Sequence, residues 1–287
     1  MSEFIAEPRR TALPLQDGSL SILEWDNPEA AVLHFAHANG FNAETYKTLL
    51  TPLARNWHVI ASDQRGHGVS TLPARPGMAK GWNIFAEDLL ALADRLSSQP
   101  VILVGHSLGA TASLMAAARA PEKVRALALI EPVLPPLSAQ DHGAAKSLAE
   151  RARRRRDSFA SFDEAFESYR GRGIFATWPP ETLGDYLRGG LIAEKDGSMR
   201  LACAPQWEAE IFDDTRAGVA ALAGTITCPI LILHGTVAST SSTSELETIR
   251  DLQPQTRIVA FEGAGHFLPV EQPDAVRKEV LAWLAGA

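Results

Sequence analysis

Cysteine is scarce. Cys203 and Cys228 are the two in 287 residues; they lie far apart with no His or Cys at metal-ligand spacing, so neither a disulfide framework nor a metal site is expected. Positive charge is short as well: 27 Lys and Arg stand against 34 Asp and Glu, for a net charge of −7. The concentrated basic footprint that phosphate binding requires is therefore missing. No uninterrupted apolar run reaches membrane-spanning length, and the opening MSEFIAEPRRTALPLQDGS lacks the apolar stretch of a secretory signal. The expectation is a cytoplasmic protein with no nucleic-acid or membrane partner. Internal repeats are absent, and the Ser/Thr-rich STSSTS at 239 to 244 reads as a loop entering a helix.

What the chain does have is apolar content of 46% with 21% charged residues, enough for a sizeable core. TALPLQ and SLSILEW flank Asp17 and Gly18, a hairpin signal. Short apolar runs then alternate with helical stretches: AVLHFAH (31 to 37), a helix over 43 to 55, WHVIAS (57 to 62), a helix over 82 to 97, VILVG, a helix from 108, and VRALALI (124 to 130). Continuous Val/Ile/Leu runs are the mark of buried parallel strands. PILILHG (229 to 235), a helix near 244 to 252, RIVAFEG (257 to 263) and a helix from 271 repeat that grammar. The stretch from 135 to 224 carries helical pieces and no strand of this kind, so it reads as a helical lid inserted into one α/β sheet formed by 1–134 and 225–287.

VILVGHSLGATASLMAAARA, from 101, places G-x-S-x-G between a buried strand and a helix, the context a nucleophile elbow needs. Ser107 is thus the candidate nucleophile, and a serine hydroxyl is inert without a base. Among eight histidines, His266 stands out, since it follows the last strand through Gly263 and Gly265 and precedes the last helix. His34, His37, His58, His67, His106, His142 and His234 sit at strands, turns or in the insertion, where a structural role is the default.

These motifs together resemble the α/β-hydrolase fold, in the lid-bearing group that includes bacterial esterases, C-C bond hydrolases, epoxide hydrolases and haloalkane dehalogenases. HFAHANGF resembles the oxyanion-hole loop, DQRGHGVS the turn after the fourth strand, GHSLG the elbow and GAGHFLPVEQP the histidine loop. The resemblance implies an eight-stranded, mostly parallel sheet with helices on both faces, and backbone N–H groups of Asn39 and Leu108 as oxyanion donors. Most members carry the triad acid in a G-x-x-D segment after the seventh strand; here HGTVASTSS puts Ala238 at that place, with no carboxylate until Glu245. Either the acid has moved, the triad is a dyad, or the protein is a catalytically vestigial ligand-binding or signalling protein. Glu131, ending RALALIE, is the candidate for a moved acid, because some members carry it there.

Reactions that need a carboxylate nucleophile are excluded by Ser107. The expected activity is serine ester or related acyl hydrolysis of a small, largely apolar molecule, with C-C bond hydrolysis and perhydrolysis as alternatives and no cofactor or metal. The sequence assigns no oligomeric state. Nine lid aromatics (Phe159, Phe162, Phe166, Tyr169, Phe175, Trp178, Tyr186, Trp207 and Phe212) read mainly as lid core. RARRRR at 151 to 156 reads as a solvated helix face, since five arginines in six residues wind around most of a helix; one guanidinium turned inward would instead select a carboxylate substrate.

Overall fold

The computed structural model describes residues 7–135, 143–214 and 217–286; His142 lies outside them. Among the described residues eleven strands are formed: β1 (Arg9–Leu15), β2 (Gly18–Trp25), β3 (Val32–Ala36), β4 (His58–Asp63), β5 (Val101–His106), β6 (Val124–Ile130), β7 (Ser158–Phe159), β8 (Leu191–Ala193), β9 (Met199–Leu201), β10 (Ile230–Gly235) and β11 (Arg257–Phe261). Eight of them make one sheet in the order β1-β2-β4-β3-β5-β6-β10-β11. The pairs β1/β2 and β2/β4 are antiparallel and all others parallel. The hairpin forms, with its turn at Gln16–Asp17 and Gly18 already paired to Leu15.

Ten α-helices accompany the strands: α1 (Lys47–Leu50), α2 (Asn83–Leu96), α3 (Leu108–Arg119), α4 (Gly143–Arg153), α5 (Phe162–Tyr169), α6 (Pro180–Gly190), α7 (Pro205–Asp213), α8 (Thr243–Leu252), α9 (Leu268–Glu271) and α10 (Pro273–Leu284), counted among the described residues. Side chains alternate across each strand, so the sheet has two apolar faces. Ile102, Val104, Ala126, Ala128 and Ile130 pack on the side of α1 and α10, while Val101, Leu103, Leu127 and Leu129 pack against α2 and α3. Fully burying one such aliphatic side chain contributes about 1.5–3 kcal/mol, which is why the inner strands read as unbroken apolar runs.

Two expectations need correction in detail. The helix expected over 43 to 55 is three short pieces, 3-10 Ala43–Tyr46, α1 and 3-10 Thr51–Arg55; Pro52, which lacks an N–H, opens the last of them. The inserted segment is not purely helical, because β7, β9 and β8 form a small antiparallel sheet of their own. After Gly189–Gly190 the chain leaves α6, and Leu191–Ala193 becomes β8. The last piece of the segment, 3-10 Val219–Thr225, buries Val219, Ala220 and Ala223 in the same apolar cluster as α3.

The parallel strands all point their C-terminal ends the same way. His37 follows β3, Ser107 follows β5, Glu131 follows β6, the 236–242 loop follows β10 and the histidine loop follows β11. Ligands of open α/β sheets bind at that edge.

Candidate active site

The turn at Ser107 is set by two glycines. A Cβ on Gly105 would stand 2.5 Å from the Gly109 carbonyl carbon, and one on Gly109 would stand 2.2 Å from the Ala36 oxygen. Neither contact is tolerable, and both facing atoms are backbone. With the crossing this tight, Ser107 is driven to φ 55° and ψ −118°. Backbone strain of this kind costs about 1–3 kcal/mol and persists where its surroundings over-determine it. Ser107 N–H donates to Ile130 O at 3.0 Å, tying the elbow to the neighbouring strand. Its side chain caps nothing in α3, so Oγ is left for another partner.

That partner is His266. Its Nε2 lies 3.0 Å from Ser107 Oγ, and its Nδ1 lies 3.1 Å from Glu131 Oε2. Glu131 is fully buried and also sits at a left-handed φ of 48°. Burial alone would raise its pKa. The hydrogen bonds from His266 and Gly235 N–H, the nearby imidazole and Thr240 N–H outweigh burial and hold the carboxyl at about 2. An ionised Glu131 requires the proton of neutral His266 on Nδ1, which leaves Nε2 as the acceptor facing Ser107.

Ala238 stands where the acid was first sought, at φ 50°. The loop around it is nonetheless occupied with the carboxylate. Gly235 N–H donates to Glu131 Oε1 at 2.5 Å, and the Ser239 hydroxyl donates to the same oxygen at 2.9 Å. Thr240 N–H donates to Oε2 at 3.1 Å. Thr240 Oγ1 lies 3.1 Å from Glu131 O and 3.2 Å from His266 Nδ1. Ser239 and Thr240 were missed in the sequence, where the run 239–244 read only as the approach to a helix; Ser242 does cap α8. A usable signal was present, since a carboxylate buried beside an empty acid position needs donors, and this loop is rich in hydroxyls.

Asn39 lies on the loop after β3 and Leu108 opens α3, on either side of Ser107. In the loop, Ala38 N–H donates to Tyr46 Oη, Gly40 N–H to His67 Nε2 and Phe41 N–H to Ala38 O. In the first turn of α3, Gly109 N–H donates to His37 O. Among the described residues, these bonds leave the N–H groups of Asn39 and Leu108 without a protein acceptor. The Asn39 side chain is anchored separately, through Nδ2 to Glu208 O at 2.9 Å.

Aromatic rings wall the histidine loop. Phe41 stacks on Phe267 at 6.0 Å and meets Trp178 and Tyr186 edge-on, each at 5.5 Å. Trp207 instead donates to Arg65 O and packs beside Phe85. The arginine run departs from its expected reading, because α4 ends at Arg153 and the following residues no longer wind as a helix. Arg151, Arg153, Arg154 and Arg156 are exposed, whereas Arg155 turns inward. Its Nη1 donates to Glu208 Oε2 at 2.6 Å and its Nη2 to Tyr169 and Tyr186. Burial opposes its charge, but Tyr186, Glu208 and Tyr169 hold its pKa well above the usual range. Arg155, Tyr186, Gly40 and Phe41 border a crevice of about 10 Å³, the size of one water.

One cluster among the described residues, Glu24, Asp26 and His58, brings ligand atoms close enough for a cation. Glu24 is already engaged by Arg9 and His58, and no hydrogen bond joins the cluster to Ser107, His266 or Glu131.

Comparison with known proteins gives a consistent picture. The family model described as alpha/beta hydrolase family matches residues 35–279. The 2-(acetamidomethylene)succinate hydrolase of Mesorhizobium japonicum is 27% identical over 280 residues, covering 98% of this chain and 97% of that protein. The (E)-2-((N-methylformamido)methylene)succinate hydrolase of Acinetobacter baylyi is 22% identical, covering 91% of this chain and 92% of its own. A crystal structure of an E-2-(acetamidomethylene)succinate hydrolase superposes with a TM-score of 0.84 at 24% identity, covering 97% of this chain and 99% of that one.

Proposed function

The chain belongs to the alpha/beta hydrolase family and is an enzyme of the serine-hydrolase type, and from that premise we propose that Ser107, His266 and Glu131 are its nucleophile, base and orienting acid. The observation that carries this reading is the unbroken hydrogen-bonded line from Ser107 Oγ through the imidazole to Glu131 Oε2. The vestigial, binding-only reading prompted by Ala238 is set aside with the enzyme class. We take residues 135–224 as the lid over the site.

The chemistry follows from the geometry. Ser107 Oγ attacks the acyl carbon while its proton passes to His266 Nε2, and Glu131 stabilises the imidazolium that results. Asn39 and Leu108 N–H receive the oxyanion as charge develops there. His266 returns the proton to the leaving group, and a water repeats the steps in reverse to free Ser107. Ser107→Ala should lower turnover of p-nitrophenyl acetate by about 10⁴-fold or more with an unchanged melting temperature. Undiminished turnover, or failure of a fluorophosphonate to label Ser107 in the native enzyme, would refute the assignment.

The aromatic wall of Phe41, Trp178, Tyr186 and Phe267 supports a small apolar acyl group. A second reading of the substrate is favoured by Arg155, the one inward guanidinium of its run, and by relatives whose names specify N-acylaminomethylene succinates. In that reading the substrate carries a carboxylate near the acyl group and Arg155 grips it, with Glu208 as the internal partner the substrate must displace. Matched neutral and carboxylate-bearing esters and enamides separate the two. Arg155→Met removing an advantage of about ten-fold for the charged compounds would establish the second reading, since such a charged contact is worth about that much. Equal rates on both series would establish the first. C-C bond hydrolysis and perhydrolysis would use the same nucleophile and are scored in the same panel, with a β-diketone and with hydrogen peroxide in place of water.

A further inference from the structure

The residue before the nucleophile, His106, is fully buried and takes no part in the proton path above. Burial and the neighbouring His266 keep it neutral, with a pKa lowered to about 3. Both of its ring nitrogens are nevertheless engaged. Nε2 lies 2.8 Å from His266 O, and Nδ1 lies 2.7 Å from Tyr46 Oη. A carbonyl oxygen can only accept, so Nε2 carries the ring proton and Nδ1 is the acceptor. Tyr46 must then donate its hydroxyl proton to Nδ1. Its oxygen remains free to accept Ala38 N–H, at 3.2 Å. Every donor and acceptor in the line has one assignment, and the line joins the base loop to the oxyanion loop through the core.

Ala38 is held at its carbonyl too. His37 Nδ1–H donates to Ala38 O at 2.7 Å, and Phe41 N–H donates to the same oxygen at 3.1 Å. The His37 tautomer is fixed in turn, because Gln64 N–H donates to its Nε2 at 2.8 Å. The Ala38–Asn39 peptide is trans, so a fixed carbonyl points the Asn39 N–H the opposite way. Anchoring Ala38 therefore aims the Asn39 donor.

We propose that Tyr46 and His106 are positioning residues that strap the Asn39 oxyanion donor to the His266 loop and set the spacing between donor and base. This rests on the roles proposed above for Asn39 and His266. The strap acts on neither the substrate nor the proton. It acts on geometry, and small misplacements of such donors are costly because their benefit is confined to the charge that appears in the transition state.

Tyr46→Phe removes the hydroxyl and keeps the ring against Phe35, whose centroid is 4.5 Å away. His106→Asn keeps an acceptor near Tyr46 and loses the reach to His266 O. Each variant is first titrated with a fluorophosphonate so that rates refer to competent sites. The expected result for each is kcat on p-nitrophenyl acetate down by about 10- to 100-fold with KM within about three-fold, a part of the loss seen when an oxyanion donor is deleted outright. Affinity for a trifluoromethyl ketone, whose adduct with Ser107 bears the oxyanion, should fall by the same factor as kcat. The double variant should lose no more than the worse single one, because either change opens the same strap.

A merely structural role would lower the titratable fraction and the melting temperature while leaving kcat per site and ketone affinity intact, and that result would overturn the proposal. Should the variants fail to fold, hydrogen exchange in the native protein decides. Ala38 N–H is expected to exchange only on global unfolding, with or without the ketone, and exchange as fast as at exposed Val69 would overturn the strap. If native Ser107 is not labelled at all, it is the proposed function that fails, and the exchange result still judges the strap.

Discussion

Replacing Glu131 by Gln perturbs one oxygen in a fully paired carboxylate. Oε1 accepts from Gly235 N–H and Ser239 Oγ, and Oε2 from His266 Nδ1 and Thr240 N–H. The amide NH₂ must therefore face two donors whichever way it is turned. Turned toward Oε2, it meets His266 Nδ1–H and forces the imidazole proton to Nε2, where it blocks proton transfer from Ser107. Turned toward Oε1, it leaves the tautomer correct but opposes Gly235 N–H, a backbone group that cannot rotate away, and the imidazolium loses its counter-charge. The two orientations bracket the expected loss of kcat at about 10²- to 10⁴-fold, the upper end being the cost of a wrong tautomer in a serine triad. Stability moves as well. Holding the carboxyl at about 2 against the usual 4.5 corresponds to a preference for the ionised form of about 3 kcal/mol. A group depressed in the folded state contributes fully above its unfolded pKa, so the wild-type advantage over Glu131→Gln should be complete above about pH 4.5 and fade as pH falls through about 2. Steady-state kinetics with p-nitrophenyl acetate and urea melts from pH 3 to 7 measure both. A kcat within three-fold of wild type would refute the orienting role, and a stability difference independent of pH would refute the electrostatic account.

Glu245→Gln, on the first turn of α8, should change kcat by less than about two-fold, since the ring nitrogens of His266 pair with Ser107, Glu131 and Thr240 and not with Glu245; a loss larger than that of Glu131→Gln would move the acid. Thr240→Val removes the hydroxyl shared by His266 and Glu131 and should lower kcat by about three- to ten-fold at unchanged KM, measured on the same ester; no change would make Thr240 a purely structural donor. Gly109→Ala places a Cβ 2.2 Å from Ala36 O, so the expected result is loss of several kcal/mol or of soluble protein, read from the melting temperature. A folded, active Gly109→Ala enzyme would mean the elbow is looser than described.

Much of the site was legible because its chemistry needs particular residues in sharply constrained backbone. Ser107 sits between two glycines and two elements of opposite period, and His266 follows a strand through glycines; both patterns survive in one dimension. Glu131, the carboxylate ending the strand next to an empty acid position, was legible through the resemblance, since some members of the fold carry the acid there. The hydroxyls at Ser239 and Thr240 were not, because Ser and Thr in a loop serve capping, turns and site support alike, and only three-dimensional placement beside Glu131 distinguishes them. The strap through Tyr46 and His106 was equally hidden, since its members are 60 residues apart. The inserted segment was the hardest part. Whether Arg155 faces water or core turns on the helix ending at Arg153, and helix ends are the least certain feature of any periodicity.

Ser107 and Glu131 are the ends of adjacent, hydrogen-bonded strands joined by a single helix, β5–α3–β6. The proposed nucleophile and acid therefore lie on one contiguous segment, and the last third of the chain contributes an imidazole and neutral donors. On that reading Gly235 and the 236–242 loop need to supply only backbone N–H groups and hydroxyls to Glu131, as Gly235, Ser239 and Thr240 do, and no charge. Recombination that exchanges the C-terminal part among relatives would carry no charge mismatch with it, provided that the incoming loop brings no acid of its own. An incoming acid would set two carboxylates against one imidazole, and their mutual repulsion would leave one of them protonated.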